Sequence, residues 1–265
     1  VNDVPAAYLI DDKTAKGFIC LQVHSIHKDQ KAGTDIIWKN VRIITDSVSK
    51  YSRNSPLTPI ITKNQLTIDE KKDGWKLLWD GKTTDGWRGA KLEEFPEKGW
   101  KIEDGVLSVL SSGGEESAAG GDIVTKELYG DFELKVDFKL TPGANSGIKY
   151  YVDTEINKGE GSSIGLEYQI LDDNLHPDAK KGNHEGSRTV SSLYDLIQAD
   201  INKPIKPIGE WNTAYIISKD NHVEHWLNGT KVLEYERKSD AYRTLVSESK
   251  YAKWPNFGEL DQGQI

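Results

Sequence analysis

Alternation of apolar and charged residues with a period of two most constrains the fold of this chain. In Phe132-Glu133-Leu134-Lys135-Val136-Asp137-Phe138 every even position is apolar and every odd one charged. Such a segment is a half-buried β-strand with one face on a core. Similar short runs recur from Trp75 onward, between turns of Gly, Asp and Asn: WKIEDGVLSVL, SGIKYYVD, GLEYQILD and HVEHWLNGTKVLEYE. Asp104-Gly105 and Asn228-Gly229 each separate two such runs, and this dipeptide supplies the positive φ angles that a tight hairpin needs. Many short strands with frequent turns predict an all-β sandwich of two antiparallel sheets. Only Ser239–Ser249 has a helical pattern, with Ser239 as N-cap.

Composition narrows the function. Among 265 residues the net charge is -8, and Lys and Arg are scattered among the carboxylates, so no basic stripe exists for a phosphate backbone to follow. No nucleic-acid partner is expected. No apolar run reaches the ~20 residues of a membrane-spanning helix, so no membrane span is expected either. Cys20 is the single cysteine, which excludes an internal disulfide framework and leaves the residue as a small buried hydrophobe. The chain has no Met and starts at Val1, as expected of a processed or excised piece.

The domain proper follows a Ser-, Asn-, Pro- and Thr-containing stretch at residues 46–65, which is expected to be a linker. Ahead of it, residues 1–45 contain two strand-like runs, GFICLQVHS at Gly17–Ser25 and IIWKNVRII at Ile36–Ile44. These have the form of a closing strand pair. At the other end the pattern Gly-x-Ile restarts at Gly263-Gln264-Ile265, which points to a chain cut from a tandem repeat. The leading pair is therefore expected to complete the sandwich of residues 66–265, within one chain or as a strand-swapped homo-oligomer.

Six motifs in order resemble those of the bacterial 3-keto-disaccharide hydrolase family: WKLLWDGKTTDGW, NSGIKYY, GLEYQILDDNLHPDA, SLYDLI, GEWN and HVEHWLNGTKVLEYE. The resemblance covers residues 74–265 in order and 17–44 out of order. It implies a concanavalin-like jelly roll related to family 16 glycoside hydrolases, and an enzyme that cleaves 3-keto-glycosides in the bacterial periplasm or outside the cell. Family 16 enzymes carry paired acids on one strand, whereas Glu167-Tyr168-Gln169 offers one carboxylate. Double displacement is therefore not expected. A 3-keto group acidifies the C2 proton, so a base can remove it and the enolate can expel the glycosidic oxygen from C1.

That chemistry needs a base, a group that holds the enolate oxygen and an acid for the leaving group. Alternation puts Glu167 and Gln169 on one face of their strand, Lys149 and Tyr151 on one face of theirs, and His225 with Val223 and Leu227. Were these polar faces shared, Glu167 or His225 would be the base, Lys149 would hold the enolate and Gln169 would orient a hydroxyl. Tyr151, Tyr194 and Trp211 are expected to contact the carbohydrate substrate, with His24 at the edge of the cleft. The loop from Asp172 gathers oxygen and imidazole groups, and Asp172 with His176 could take a divalent cation as cofactor. A non-catalytic carbohydrate-binding module is the competing function, since a sandwich fold does not fix activity.

Overall fold

The computed structural model describes residues 64–110, 120–159 and 161–265. They belong to one unit that runs Thr62–Ile265. The linker at 46–65, apart from Asn64 and Gln65, and the leading strand pair lie outside the described residues, as do Cys20 and His24.

The elements in chain order are a short helix α1 (Ile68–Lys72), then β1 (Trp87–Gly89), β2 (Trp100–Glu103), β3 (Val106–Val109), β4 (Ile123–Thr125), β5 (Phe132–Lys139), β6 (Asn145–Asp153), β7 (Ile164–Leu171), β8 (Trp211–Lys219), β9 (His222–Leu227), β10 (Thr230–Glu236) and α2 (Asp240–Ser247). The result is an all-β sandwich of antiparallel sheets. One sheet has the order β10-β9-β8-β5. The facing layer is the β6–β7 hairpin, extended by bridges from Tyr168 to Leu193 and from Val152 to Gln264.

Both predicted hairpin turns form. Asp104 and Gly105 have φ of 51° and 69°, and Asn228 and Gly229 have 49° and 82°, the left-handed pair that matches strand twist. Helix α2 begins as predicted, with the Ser239 hydroxyl accepting from the Tyr242 amide at 3.1 Å. Helix α1 was not predicted. It is one turn long and rests on a capping box in which Thr67 and Glu70 each bond the other's backbone.

The core lies between the two layers. It takes Leu134 and Phe138 from β5, Ala214 and Ile216 from β8, Val223 and Leu227 from β9 and Tyr235 from β10, against Tyr150, Leu166, Tyr168 and Ile170 from the hairpin. Alternation therefore assigns the inward face of β7 correctly. In β6 it fails after Tyr150. The register with β7 shifts between Tyr150 and Asp153, and Tyr151 adopts a φ of 50°. That one left-handed residue resets the parity of the strand, so Tyr150, Tyr151 and Val152 are buried in succession.

Tyr151 is thus a core residue and does not face the substrate side with Lys149. Its hydroxyl donates to the Gly130 carbonyl at 2.7 Å, and the Arg237 guanidinium lies 3.4 Å from its ring centroid.

Candidate active site on the outer face of the hairpin

Glu167 stands at the middle of β7, directly opposite Lys149 of β6. Both are half-buried and point away from the core, as the alternation predicts. The neighbouring β6 position is Gly147, and the Glu167 carboxylate lies over it. A Cβ on Gly147 would overlap Glu167 Oε1 and come within 2.7 Å of Cδ. Lys149 Nζ is 2.8 Å from Asp122 Oδ2, an oxygen that also accepts the Ser163 amide at 2.9 Å. The lysine is thereby held at one end of the face.

A loop segment lines the other side. The Tyr194 amide donates to the Glu167 carbonyl at 3.0 Å, which fixes Tyr194 beside the carboxylate. The Tyr194 hydroxyl donates to Asp178 Oδ2 at 2.8 Å. Arg188 spans two carboxylates, giving 2.8 Å to Asp178 Oδ1 and 2.7 Å to Asp195 Oδ1. The other oxygen of Asp195 accepts the Lys250 amide at 3.0 Å. Lys250 Nζ then sits 4.3 Å from the Tyr194 ring centroid and 5.2 Å from that of Tyr251, close enough for a cation to feel the ring face. Tyr251 is buttressed by Phe257, stacked at 3.9 Å.

The electrostatics follow from these contacts. Burial raises the Tyr194 hydroxyl above its usual range, and the Asp178 hydrogen bond and the Glu167 charge add to the rise. Burial and then the Glu167 charge do the same to Tyr251. Burial pushes Asp178 upward, but the bonds from Tyr194 and Arg188 outweigh it and hold the carboxyl below the usual carboxylate range. Both tyrosines stay protonated at neutral pH, within reach of the Glu167 charge and beside the Lys250 amine. Asp122, Arg188, Asp195, Lys250 and Tyr251 were not singled out from the sequence. Arg188 and Asp195 flank Tyr194 in the run SRTVSSLYD, where the density of polar residues was a readable signal.

Four other predicted positions lie elsewhere. His225 is fully buried on the core face of β9. Its Nδ1 donates to the Ser191 carbonyl at 2.9 Å, which leaves Nε2 to accept from the Tyr150 hydroxyl at 2.8 Å. The polar faces of β7 and β9 were expected to coincide. They do not, because His225 occupies an apolar-side position where its two hydrogen-bond partners satisfy it.

Trp211 is on the outer face of the other sheet, with Lys139 Nζ 5.1 Å from its ring, on the opposite side of the sandwich from Glu167. Asp172 spends its carboxylate on the amides of Gly143 at 2.8 Å, Asn174 at 3.1 Å and Leu175 at 3.2 Å, bonds that hold it below the usual carboxylate range, the one from Gly143 most strongly. His176 Nδ1 accepts the Asp178 amide at 3.2 Å. Both residues brace the loop through these bonds.

Gln169 is on the outer side of β7 as predicted, yet it is buried. Its amide reaches Asn145 Oδ1 at 3.3 Å, so it backs the exposed Asn145 and does not itself line the cleft. Among the described residues, ligand atoms that could share a metal ion occur in His222, Glu224 and Glu234. Lys231 already pairs with both glutamates there, at 3.3 and 2.6 Å.

A half-buried carboxylate opposite Lys149 and beside two protonated tyrosines, on one face of an antiparallel sandwich, offers the kinds of group that proton abstraction and anion stabilisation require. The chain belongs to the 3-keto-alpha-glucoside-1,2-lyase-like domain family, whose model matches residues 74–265. A curated relative, the 3-keto-disaccharide hydrolase of Bacteroides thetaiotaomicron, is 38% identical over 243 residues, covering 87% of this chain and 81% of that protein. A crystal structure from Parabacteroides distasonis, provisionally named a glycosyl hydrolase, superposes with a TM-score of 0.65 at 32% identity, over 77% of this chain and 90% of that one. No helix among the described residues is long and apolar enough to cross a membrane.

Proposed function

We propose that this protein cleaves 3-keto-glycosides by elimination and rehydration, with Glu167 as the base. The observation that carries the reading is the placement of Glu167: one carboxylate at the centre of the hairpin's outer face, opposite Lys149 and bonded through its backbone to Tyr194. Glu167 takes the C2 proton of the keto sugar. The electron pair forms the enolate at C2–C3, then returns to re-form the C3 carbonyl as C1–C2 becomes a double bond and the C1–O bond breaks. The aglycone oxygen takes a proton. Water then adds across C1=C2, hydroxyl to C1 and proton to C2, which restores the 3-keto sugar and makes the net change a hydrolysis.

Family membership and the name of the Bacteroides relative support this reading. The reading extends to a periplasmic or secreted enzyme, in keeping with carbohydrate cleavage by such families. The test is incubation with a matched glucoside and 3-keto-glucoside in deuterated buffer. Aglycone release only from the keto sugar, with deuterium entering at C2, is expected. Glu167→Gln should lower that rate at least ~100-fold, the low end for losing a general base. Equal rates on both substrates, or a product with no deuterium at C2, would sink elimination, and sugar binding without any release would favour a carbohydrate-binding module.

A further inference from the structure

We propose that Asn145, positioned by the buried Gln169, donates the hydrogen bond that holds the C3 enolate oxygen; this rests on the elimination reading above. The outer face of β6 presents Asn145, Gly147 and Lys149 in turn, while Ile148 packs on the core. Glu167 does not stay over Lys149, its cross-strand partner. Its carboxylate crosses to Gly147, the next position towards Asn145. Successive residues on one face of a strand are about 7 Å apart. The base and the Asn145 side chain thus flank a gap that admits the C2–C3–O3 unit of a keto sugar, with C2–H over the carboxylate and O3 towards the amide.

The Asn145 amide is oriented by its neighbour. Gln169 is 0% exposed, and its Oε1 accepts the Ile170 amide at 3.2 Å, which leaves its Nε2 to donate to Asn145 Oδ1 at 3.3 Å. With Oδ1 turned to Gln169, exposed Asn145 presents its Nδ2 hydrogens to the outer side of the strand. The strand end is held as well, since the Ala144 carbonyl accepts the Asp172 amide at 2.9 Å. A donor fixed before the substrate arrives needs no reorganisation when negative charge develops. An amide has no proton to lend at neutral pH, so it suits O3 and not the glycosidic oxygen, which must leave protonated. In the reaction Glu167 takes the C2 proton, the C2–H pair becomes the C2=C3 bond and the carbonyl π pair moves to O3. There the Nδ2–H of Asn145 bonds it and keeps its own proton, and the bond weakens when C3=O re-forms and C1–O breaks.

The experiment compares Asn145→Ala, Asn145→Asp, Gln169→Met and the double variant of Asn145→Ala with Gln169→Met against the wild type, on a 3-keto-glucoside in deuterated buffer. Deuterium entry at C2 and aglycone release are read separately, together with melting temperatures. Asn145→Ala is expected to lower both rates at least ~100-fold, the low end for losing one oxyanion donor, chiefly in kcat. Asn145→Asp keeps the acceptor for Gln169 but turns an oxygen towards O3, so it should keep the wild-type melting temperature and lose at least as much rate. Gln169→Met should lower kcat by itself and add nothing to Asn145→Ala, because it acts through that residue. Unimpaired rates in Asn145→Ala or Asn145→Asp overturn the assignment. So does a loss of aglycone release with C2 exchange intact, which would put Asn145 at the leaving oxygen. Full additivity in the double variant removes Gln169 from the role. A wild type that takes up no deuterium and releases no aglycone overturns the elimination reading and this role with it.

Discussion

Gly147 shows how one missing side chain makes the site. The Glu167 carboxylate occupies the space where a Cβ at 147 would be, and it can lie across β6 only because that position is bare. Gly147→Ala should leave the fold intact, since the clash meets the movable end of a glutamate, but it displaces the base by about an ångström. Misplacement on that scale costs roughly 100-fold in rate. We expect a large fall in kcat with a melting temperature near that of the wild type; an unchanged kcat would show that Glu167 need not sit where it is seen. Glu167 and Lys149 were legible as outward-facing because their strands alternate up to that point. Tyr151 was not, because a single left-handed φ leaves no mark in the apolar pattern. Lys250 was hidden for another reason: tertiary packing of a turn, not periodicity, brings it to the face.

Strand β9 carries a polar chain through the apolar interior. The Tyr235 hydroxyl bonds Tyr150 at 2.8 Å, Tyr150 bonds His225 Nε2 at 2.8 Å, and His225 Nδ1 bonds Ser191 at 2.9 Å. Burial drives the His225 imidazole down from 6.5 to about 4. The folded state therefore resists a proton that the unfolded chain accepts below about 6.5. This stability is fully present above that pH and is lost as the pH falls towards 4, by about 3 kcal/mol in all. We expect the denaturation midpoint to drop between pH 7 and pH 4.5, and His225→Gln, less stable at pH 7, to show a shallower drop. Parallel slopes in the two proteins would place the acid sensitivity elsewhere. At the level of elements the two hairpin turns and the N-cap of α2 were readable, because each depends on local dihedral chemistry. The inward turn of His225 was not: strand alternation names its face-mates, Val223 and Leu227, but imidazole reads as polar until partners such as Tyr150 and Ser191 are seen to bury it.

On the scale of the whole molecule, the sandwich is tied together by its last residues. Gly263 exchanges backbone bonds with Tyr129 at 2.8 and 3.0 Å, Gln264 with Val152 at 3.0 and 3.2 Å, and the Ile265 carbonyl accepts the Thr125 amide at 2.8 Å. Ile265 is itself a core residue, 8% exposed. Deleting residues 263–265 should lower stability by at least ~3 kcal/mol, since several ladder bonds of about 1 kcal/mol each and one core side chain go together. Denaturant titration reads this, and a loss below ~1 kcal/mol would mean the bridges are dispensable.

The seat of Gly263 also has a consequence in time. A Cβ there would strike the backbone of Tyr151 and come within 2.9 Å of the Val152 amide, so the segment can dock only against a completed bulge. The amide of Ile265 donates back to the Thr125 hydroxyl, 140 residues earlier. On a ribosome adding about 5–20 residues per second, Thr125 and Val152 would wait several seconds for partners not yet made. During that interval the ends of β4 and β6 are open edges, exposed to any other strand. These bonds can form only once synthesis has passed residue 265, at the place where the polarity of alternation changes, and the yield in the cell should depend on what shields that edge until then.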